Sequence, residues 1–154
     1  MKVMKEWKRK LFLLGLFKIP MVGFVRPKLT HLDAESCEIS IKLRRRTKNH
    51  LNSMYFGALA VGADLAPGLL TYFLAEEHGY KISFVFKSMK CTFLQRAESD
   101  VRFVCESTDE LKNGLVEAYQ NQDRRNISVQ VVAFNTNDEQ VATFIMEVSF
   151  RVKK

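Results

Sequence analysis

Five segments of the chain alternate apolar and polar residues in the two-residue period of half-buried β-strands. They span residues 35–44, 81–94, 99–106, 125–136 and 140–152. The alternation changes phase near Lys87 and Ser88, which predicts a bulge within the second strand. A short helix is expected over residues 109–120, with Thr108 or Asp109 as its N-cap.

The amino-terminal segment has the period of an amphipathic helix. Within residues 4–17, apolar side chains share one stripe, and the lysines and arginines lie mostly off it. The stripe comprises Met4, Trp7, Leu11 and Leu14. Because Pro20 ends this helix and Pro27 indicates extended backbone, residues 1–28 are predicted to form a basic helix followed by a connector.

A long helix is predicted over residues 53–78, where apolar residues occur on all sides. Such a helix is buried on most of its surface rather than lying on one face of a protein. Asn52 or Ser53 offers an N-cap at its start. The run is long enough to span a membrane, but the charge of Asp64 at its centre favours a core helix.

The elements follow one another as a helix, a strand, a long apolar helix and then four strands, with the short helix among them. Strands that are neighbours along the chain favour an antiparallel sheet, and one long helix must cover a face of it. We therefore predict an α+β protein with the hotdog fold. In this fold a five-stranded antiparallel sheet wraps around one central helix, here with an additional amino-terminal helix. At 154 residues, the chain is expected to form a single domain.

The charge of the chain is unevenly distributed. The net charge of +7 comes from residues 1–28, which hold eight lysines and arginines and one acid, whereas the rest of the chain is neutral. A basic segment can face nucleic acid, a membrane surface or a polyanionic ligand. No nucleic-acid recognition motif accompanies it. We favour packing of the amphipathic helix on the open face of the sheet over contact with a membrane surface.

The chain contains three cysteines, Cys37, Cys91 and Cys105, each within a strand-like run. Their number is odd and their spacing is not that of metal ligands. They are therefore predicted to be reduced thiols, as is typical of a cytoplasmic protein. Neither a metal site nor a bound cofactor is expected.

Asp64 is the only charged residue between Asn49 and Ala75, with histidine counted as neutral. A carboxylate in so apolar a run is costly unless it is paired, protonated or used in chemistry. One interpretation is that it takes part in catalysis or contacts a ligand. The alternative is a structural carboxylate that accepts a hydrogen bond from a serine, a threonine or the backbone.

The segment NHLNSMYFGAL, which begins at Asn49 and is followed by Asp64, resembles the central-helix motif of hotdog-fold acyl-CoA thioesterases. It is most similar to the phenylacetyl-CoA thioesterase-like group, which includes a branch with an extra amino-terminal helix. In that family a His-Gly-Gly triplet opens the helix, and an acid lies nine residues after the His. Here Tyr55-Phe56-Gly57 stands at the triplet and Asp64 lies nine residues after Tyr55. The acid and the final glycine match the family, whereas the His and the first glycine do not.

The resemblance implies hydrolysis of a fatty or aryl acyl thioester of coenzyme A, which is the substrate and not a resident cofactor. Phe56 would offer its backbone N–H to the thioester carbonyl, with Gly57 in the same first turn. Asp64 would act as nucleophile or general base. Tyr55 would take the place of the family's His as a hydrogen-bond donor, and His50 lies five residues upstream.

Phe56 and Asp64 are about 12 Å apart along one helix axis, too far to reach the same reacting carbon. An enzyme of this type must therefore be a homodimer in which Phe56 of one chain faces Asp64 of the other, and a tetramer is also compatible. Because the triplet departs from the family, a protein that binds acyl thioesters or fatty acyl groups without hydrolysis remains the alternative. The predicted substrate-binding residues are Asn49, Asn52, Lys87 and Lys90, the two lysines through the phosphates of coenzyme A.

Overall fold

The computed structural model describes residues 1–153. Its helices are α1 (Lys2–Leu13), α2 (Pro20–Val25), α3 (Phe56–Glu77) and α4 (Asp109–Asn121), and a π-helical turn at Leu14–Lys18 follows the first of them. Its strands are β1 (Lys28–Leu32), β2 (Ser36–Ile41), β3 (Lys81–Phe93), β4 (Val101–Glu106), β5 (Arg125–Phe134) and β6 (Gln140–Lys153).

Within residues 1–153, the six strands form one antiparallel sheet in the order β1-β2-β4-β5-β6-β3. The helix α3 lies across this sheet and contacts β2 to β6, and 13 of its 22 residues are buried. The predicted α+β class, with an antiparallel sheet around one central helix, is therefore confirmed. By length and composition α3 would also suffice to cross a membrane, but here it is the core helix.

The predicted number of five strands is wrong, because β1 adds a sixth strand at one edge of the sheet. This strand buries only Leu29 and Leu32, since its register with β2 shifts between Leu29 and His31. The irregularity breaks the two-residue alternation by which a strand is recognised in a sequence. The connector predicted before it also contains a short helix, α2, in which Val22 and Val25 are buried.

Two local predictions are confirmed in the second half of the chain. The pairing of β3 with β6 shifts between Phe86 and Ser88, where the change of phase predicts a bulge. The helix α4 is capped by Thr108, whose hydroxyl oxygen accepts a hydrogen bond from the backbone N–H of Leu111 at 3.1 Å.

The predicted apolar stripe of α1 is buried against the core at Trp7 and Leu11, but α1 lies on β1 and beside α3 rather than on the open face of the sheet. The ring of Trp7 meets Phe73 of α3 edge-on, with ring centroids 5.8 Å apart. Lys10 donates a hydrogen bond to the carboxylate of Glu76 at 2.7 Å. These contacts attach α1 to the carboxyl-terminal half of α3.

Gly62 lets α3 approach β4 closely, and its replacement by alanine is expected to destabilise the protein. A Cβ atom added there would lie 2.4 Å from the ring of Phe103, which is fully buried. Gly62→Ala should therefore lower the free energy of unfolding by about 1–3 kcal/mol through overpacking, although alanine favours helix. Chemical denaturation measures the change.

A double-mutant cycle tests whether this ring is the cause. Phe103→Leu removes the ring atoms that the new methyl group meets, so the double variant should lose less stability than the two single variants together. Strict additivity would show that the cost of Gly62→Ala arises elsewhere.

Candidate functional site

Two backbone hydrogen bonds fix the amino end of α3. The N–H of Tyr55 donates to the carbonyl oxygen of Thr47 at 2.8 Å, and the N–H of Met54 donates to that of Ala97 at 2.7 Å. Thr47 is itself buried, and its hydroxyl donates to the carbonyl oxygen of Lys42 at 2.7 Å. The helix start is thus held between the loop that follows β2 and the loop that follows β3.

The predicted N-cap of α3 is wrong, because the capping position is Tyr55 rather than Asn52 or Ser53. Asn52 has a left-handed backbone with φ 59°. The N–H and the hydroxyl of Ser53 both donate to the side-chain oxygen of Asn49, each at 3.2 Å. These residues therefore form a turn ahead of the helix, and Asn49 stabilises that turn.

The first two backbone N–H groups of α3, at Phe56 and Gly57, have no acceptor among residues 1–153. The first N–H groups of a helix lack an intrahelical partner, and the helix dipole adds partial positive charge at this end. No side chain of the described residues caps the turn either. The start of α3 therefore presents two unused donors to an approaching anion.

A cleft of about 440 Å³ opens at this helix start, and we refer to it as the helix-start cleft. Four predicted site residues line it: Asn49, His50, Tyr55 and Phe56. Its other walls were missed by the sequence analysis: Ser53, Met54, Leu59, Phe93, Gln95, Arg96 and Ala97. The residues after β3 reach the helix start through the hydrogen bond from Met54 to Ala97, and no local sequence pattern indicates that approach.

The rings of Tyr55 and Phe56 lie in the wall of the helix-start cleft. Their centroids are 4.6 Å apart and their planes are tilted by 46°, and Phe56 is 62% exposed. A Cβ atom added at Gly57 would lie 2.5 Å from the ring of Tyr55. Glycine at this position therefore leaves room for that ring against the first turn of α3.

Three of the predicted substrate-binding residues, Asn52, Lys87 and Lys90, lie outside this cleft in a single chain. Asn52 is exposed, and its side-chain oxygen accepts a hydrogen bond from Lys48 at 3.0 Å. Lys87 and Lys90 are exposed on β3 and do not line the cleft. His50 is exposed within the cleft. Arg96, which the sequence analysis did not single out, is the cation that the cleft contains.

Asp64 lies about two helical turns beyond Phe56 and does not line the helix-start cleft. Its side chain is half-buried, and within residues 1–153 no group donates a hydrogen bond to its carboxylate. Burial raises the pKa of Asp64 above the ordinary value of a carboxyl group. The structural alternative requires a hydrogen bond to this carboxylate from its own chain, and within residues 1–153 no such bond is formed.

Asp64 belongs to the one face of α3 that the sheet leaves partly open. Ala60, Val61 and Gly68 lie within about one turn of it and are half-buried too. Ala60 and Gly68 have little or no side chain, and a Cβ atom added at Gly68 would meet only Phe84, at 4.0 Å. A second protein surface can therefore approach α3 here.

Within residues 1–153 no three histidine, cysteine or acidic side chains converge, so no cluster there could hold a metal ion. Cys37 and Cys105 face each other across β2 and β4 and are fully buried. Burial raises the pKa of the Cys37 thiol and raises that of Cys105 to about 12. Both thiols are therefore protonated at neutral pH and serve as small buried side chains.

The sequence matches one family model, described as a domain of unknown function (DUF4442), over residues 8–150. No curated protein matches the sequence.

The structure is similar to solved structures from three bacteria. A candidate thioesterase from Shewanella oneidensis has a TM-score of 0.85 and 14% identity, over 96% of this chain and 99% of that chain. A protein of unknown function from Pseudomonas aeruginosa, described as a probable thioesterase, has a TM-score of 0.78 and 22% identity, over 94% and 95%. A thioesterase from Haemophilus influenzae has a TM-score of 0.71 and 13% identity, over 91% and 88%. These similarities establish the hotdog fold.

Proposed function

The chain belongs to the DUF4442 family, and from its hotdog fold and the helix-start cleft we propose that it hydrolyses an acyl thioester of coenzyme A. One observation carries the proposal. A largely apolar cleft lined by Phe56 opens at the start of α3, where the backbone N–H groups of Phe56 and the adjacent Gly57 have no acceptor within residues 1–153. The three similar structures, each described as a thioesterase or a candidate for one, support the same class of reaction.

The free N–H groups suit the charge that develops during hydrolysis. Attack on a thioester carbonyl places negative charge on its oxygen, and preorganised donors that face this oxygen lower the barrier. We assign that role to the N–H groups of Phe56 and Gly57. The acyl group would lie against Met54, Leu59 and Phe93, the apolar walls of the cleft.

Arg96 is the proposed partner of the coenzyme A phosphates. It lines the helix-start cleft and is 58% exposed as a side chain, so its guanidinium can form charge-assisted hydrogen bonds with a phosphate. Lys87 and Lys90 lie further along β3 and would act on the same polyanion at longer range.

Asp64 is the proposed general base. Its carboxylate would take a proton from water while the water oxygen bonds to the carbonyl carbon. The carbon–sulfur bond then breaks, and the proton passes to the departing sulfur. Within residues 1–153 no hydrogen bond engages the carboxylate of Asp64, which leaves it free for this task.

The proposed site needs two chains, because Phe56 and Asp64 are about 12 Å apart along one helix. The strand β3 is 13 residues long and forms one of the two edges of the sheet in residues 1–153. Val85 and Met89 on it are 50% and 43% exposed, and long apolar edges tend to pair with another strand. We propose a two-fold homodimer in which β3 pairs with its copy.

The position of β3 links that edge to the open face of α3. Phe84 of β3 contacts Tyr72 of α3, with ring centroids 5.5 Å apart. A partner that pairs with β3 would therefore also cover the face of α3 that carries Asp64. This arrangement would bring Asp64 of the partner subunit toward the free N–H groups of the first.

The direct test is an assay of thiol release. The purified protein is expected to release free coenzyme A from at least one member of a series of short, medium and long acyl-CoA esters and phenylacetyl-CoA. A thiol-reactive dye measures the release, and the rate without protein gives the background. Release no faster than the background with every ester would contradict hydrolysis.

One observation favours the second candidate, binding without hydrolysis. The rings of Tyr55 and Phe56 lie 4.6 Å apart in the wall of the cleft, and their bulk would narrow the approach of a thioester to the N–H of Phe56. An acyl-CoA ester that raises the unfolding temperature without releasing thiol would support this candidate.

A further inference from the structure

The amino-terminal helical hairpin, residues 2–25, leaves a large apolar surface in water. Of the 19 large apolar side chains that are exposed within residues 1–153, nine belong to the first 25 residues. The most exposed of these within the hairpin are Phe17 at 72%, Phe12 at 66% and Met21 at 61%. Apolar surface of this extent on a folded protein usually marks an interaction site.

The backbone of the hairpin holds these side chains outward. The π-helical turn and α2 meet at Gly15 and Gly23, where a Cβ atom added to Gly23 would lie 2.4 Å from the carbonyl oxygen of Gly15. Val22 and Val25 of α2 are buried in the core. The exposed residues therefore stand on a closely packed support whose inner side already has its apolar contacts.

A second cleft, of about 940 Å³, lies between the hairpin and β1, and we refer to it as the hairpin cleft. Phe12 and Leu16 line it, so the exposed apolar surface continues into a cavity. Lys8, Arg26 and Lys28 also line it. The site thus combines apolar walls with cations and contains no acidic residue among its lining residues.

The net charge of the whole protein comes from the segment that forms this surface, although Lys10 within it pairs with Glu6 and Glu76. Residues 1–28 carry the entire net charge of +7. Arg46, in the loop after β2, adds a further cation, because its guanidinium donates to the carbonyl oxygen of Phe24 at 3.2 Å and lies 5.7 Å from the ring of Phe24. Phe24 is itself 55% exposed.

Three kinds of occupant differ in how well they fit a surface that is both apolar and strongly basic. A second copy of the same surface would bring two sets of like charges together. Nucleic acid would satisfy the charge but not the aromatic and aliphatic side chains. An anionic phospholipid bilayer satisfies both, because apolar side chains enter the acyl boundary while lysines and arginines stay among the phosphates.

We propose that the hairpin docks the protein on the surface of an anionic phospholipid bilayer. The hairpin packs on β1, whereas the proposed dimer contact uses β3 at the opposite edge of the sheet. Dimerisation through β3 therefore leaves both hairpins free to contact a membrane. The proposal is independent of whether the helix-start cleft hydrolyses its ligand.

Co-sedimentation with vesicles tests the proposal. The full chain is expected to bind vesicles of mixed phosphatidylcholine and phosphatidylglycerol at least about tenfold more tightly than vesicles of phosphatidylcholine alone. Raising the salt concentration should weaken this binding. Absence of binding to the mixed vesicles at low salt would overturn the proposal.

A matched pair of variants locates the contact. The double variant Phe12→Ser, Phe17→Ser should bind the mixed vesicles at least about tenfold less tightly. Ile145→Ser, which changes a 42% exposed side chain on β6, should bind them as the wild type does. Unfolding temperatures confirm that each variant is folded.

Two further outcomes would contradict docking of the hairpin on the bilayer. Equal vesicle binding by the double variant and the wild type would place the contact elsewhere. A fall in molecular mass on light scattering for the double variant alone would show that the apolar surface joins two copies of this chain.

Discussion

Replacing Asp64 by asparagine is expected to lower kcat/KM for acyl-CoA hydrolysis by about 10²–10⁴-fold, the usual contribution of a positioned general base. Asparagine has nearly the same shape and can occupy the same half-buried position, but it cannot take a proton from water. The measurement is thiol release by the purified variant beside the wild type. Asp64→Glu keeps a carboxylate and is the matched control, expected to retain part of the activity.

The unfolding temperature of Asp64→Asn distinguishes a catalytic role of Asp64 from a structural one. Burial raises the pKa of Asp64, so the fold favours the protonated form. The stability that this preference contributes is fully present below the pKa of the unfolded chain and is lost as the pH rises through the folded pKa. At neutral pH the ionised carboxylate therefore destabilises the fold, and Asp64→Asn should unfold at the same or a higher temperature than the wild type.

The same raised pKa sets the direction of the pH profile. A general base must be ionised, so kcat/KM of the wild type should rise with pH through the raised pKa of Asp64.

Full activity in Asp64→Asn would remove the carboxylate from the mechanism. A clear loss of stability would instead indicate that the carboxylate holds the structure together.

The sequence predicted the elements whose patterns are local and regular. The helix α3 has apolar residues on all sides, which identified it as the core helix, and the alternation over β2 to β6 identified five strands. The bulge near Ser88 is a local change of phase and was visible for the same reason. The strand β1 was missed because its two buried residues, Leu29 and Leu32, do not alternate.

The candidate site was predictable only in part, because half of it is assembled by contacts distant in sequence. Tyr55 and Phe56 were proposed from a resemblance in one helix, and Asp64 was proposed both from that resemblance and from its isolation in an apolar run. Arg96 was missed, because its approach to the helix start depends on the loop after β3 and on the hydrogen bond between Met54 and Ala97. The N-cap was misplaced because the turn that Asn49 stabilises uses the residues that were expected to cap the helix.

The exposed residues of α1 and of the π-helical turn show what a helical period cannot predict. The stripe of Trp7 and Leu11 correctly identified the face that packs on the core. Phe12 and Phe17 lie off that stripe, and a helical pattern does not tell whether such residues meet another part of the chain. The structure leaves them exposed, and this exposure is the reason why we now propose contact with a membrane surface.

Replacing Phe56 by proline is expected to lower kcat by about 10²–10³-fold, the typical cost of removing one donor from an oxyanion site. Phe56 is the first residue of α3, where the fixed φ and missing N–H of proline are tolerated. Tyr55 before it is extended, with φ −62° and ψ 138°, as the residue before a proline prefers. The variant therefore removes one N–H and keeps the helix. Phe56→Ala, which retains the N–H, is the control and should keep most of the activity.

Mixing the two inactive variants tests whether the site is shared between subunits. In a heterodimer of Phe56→Pro and Asp64→Asn chains, one site combines the intact Phe56 of one chain with the intact Asp64 of the other, and the second site carries both changes. Unfolding and refolding an equal mixture should therefore restore about one quarter of the wild-type activity, because half of the dimers are mixed and each has one working site. If Phe56 and Asp64 instead acted within one chain, the mixture would stay as inactive as its components.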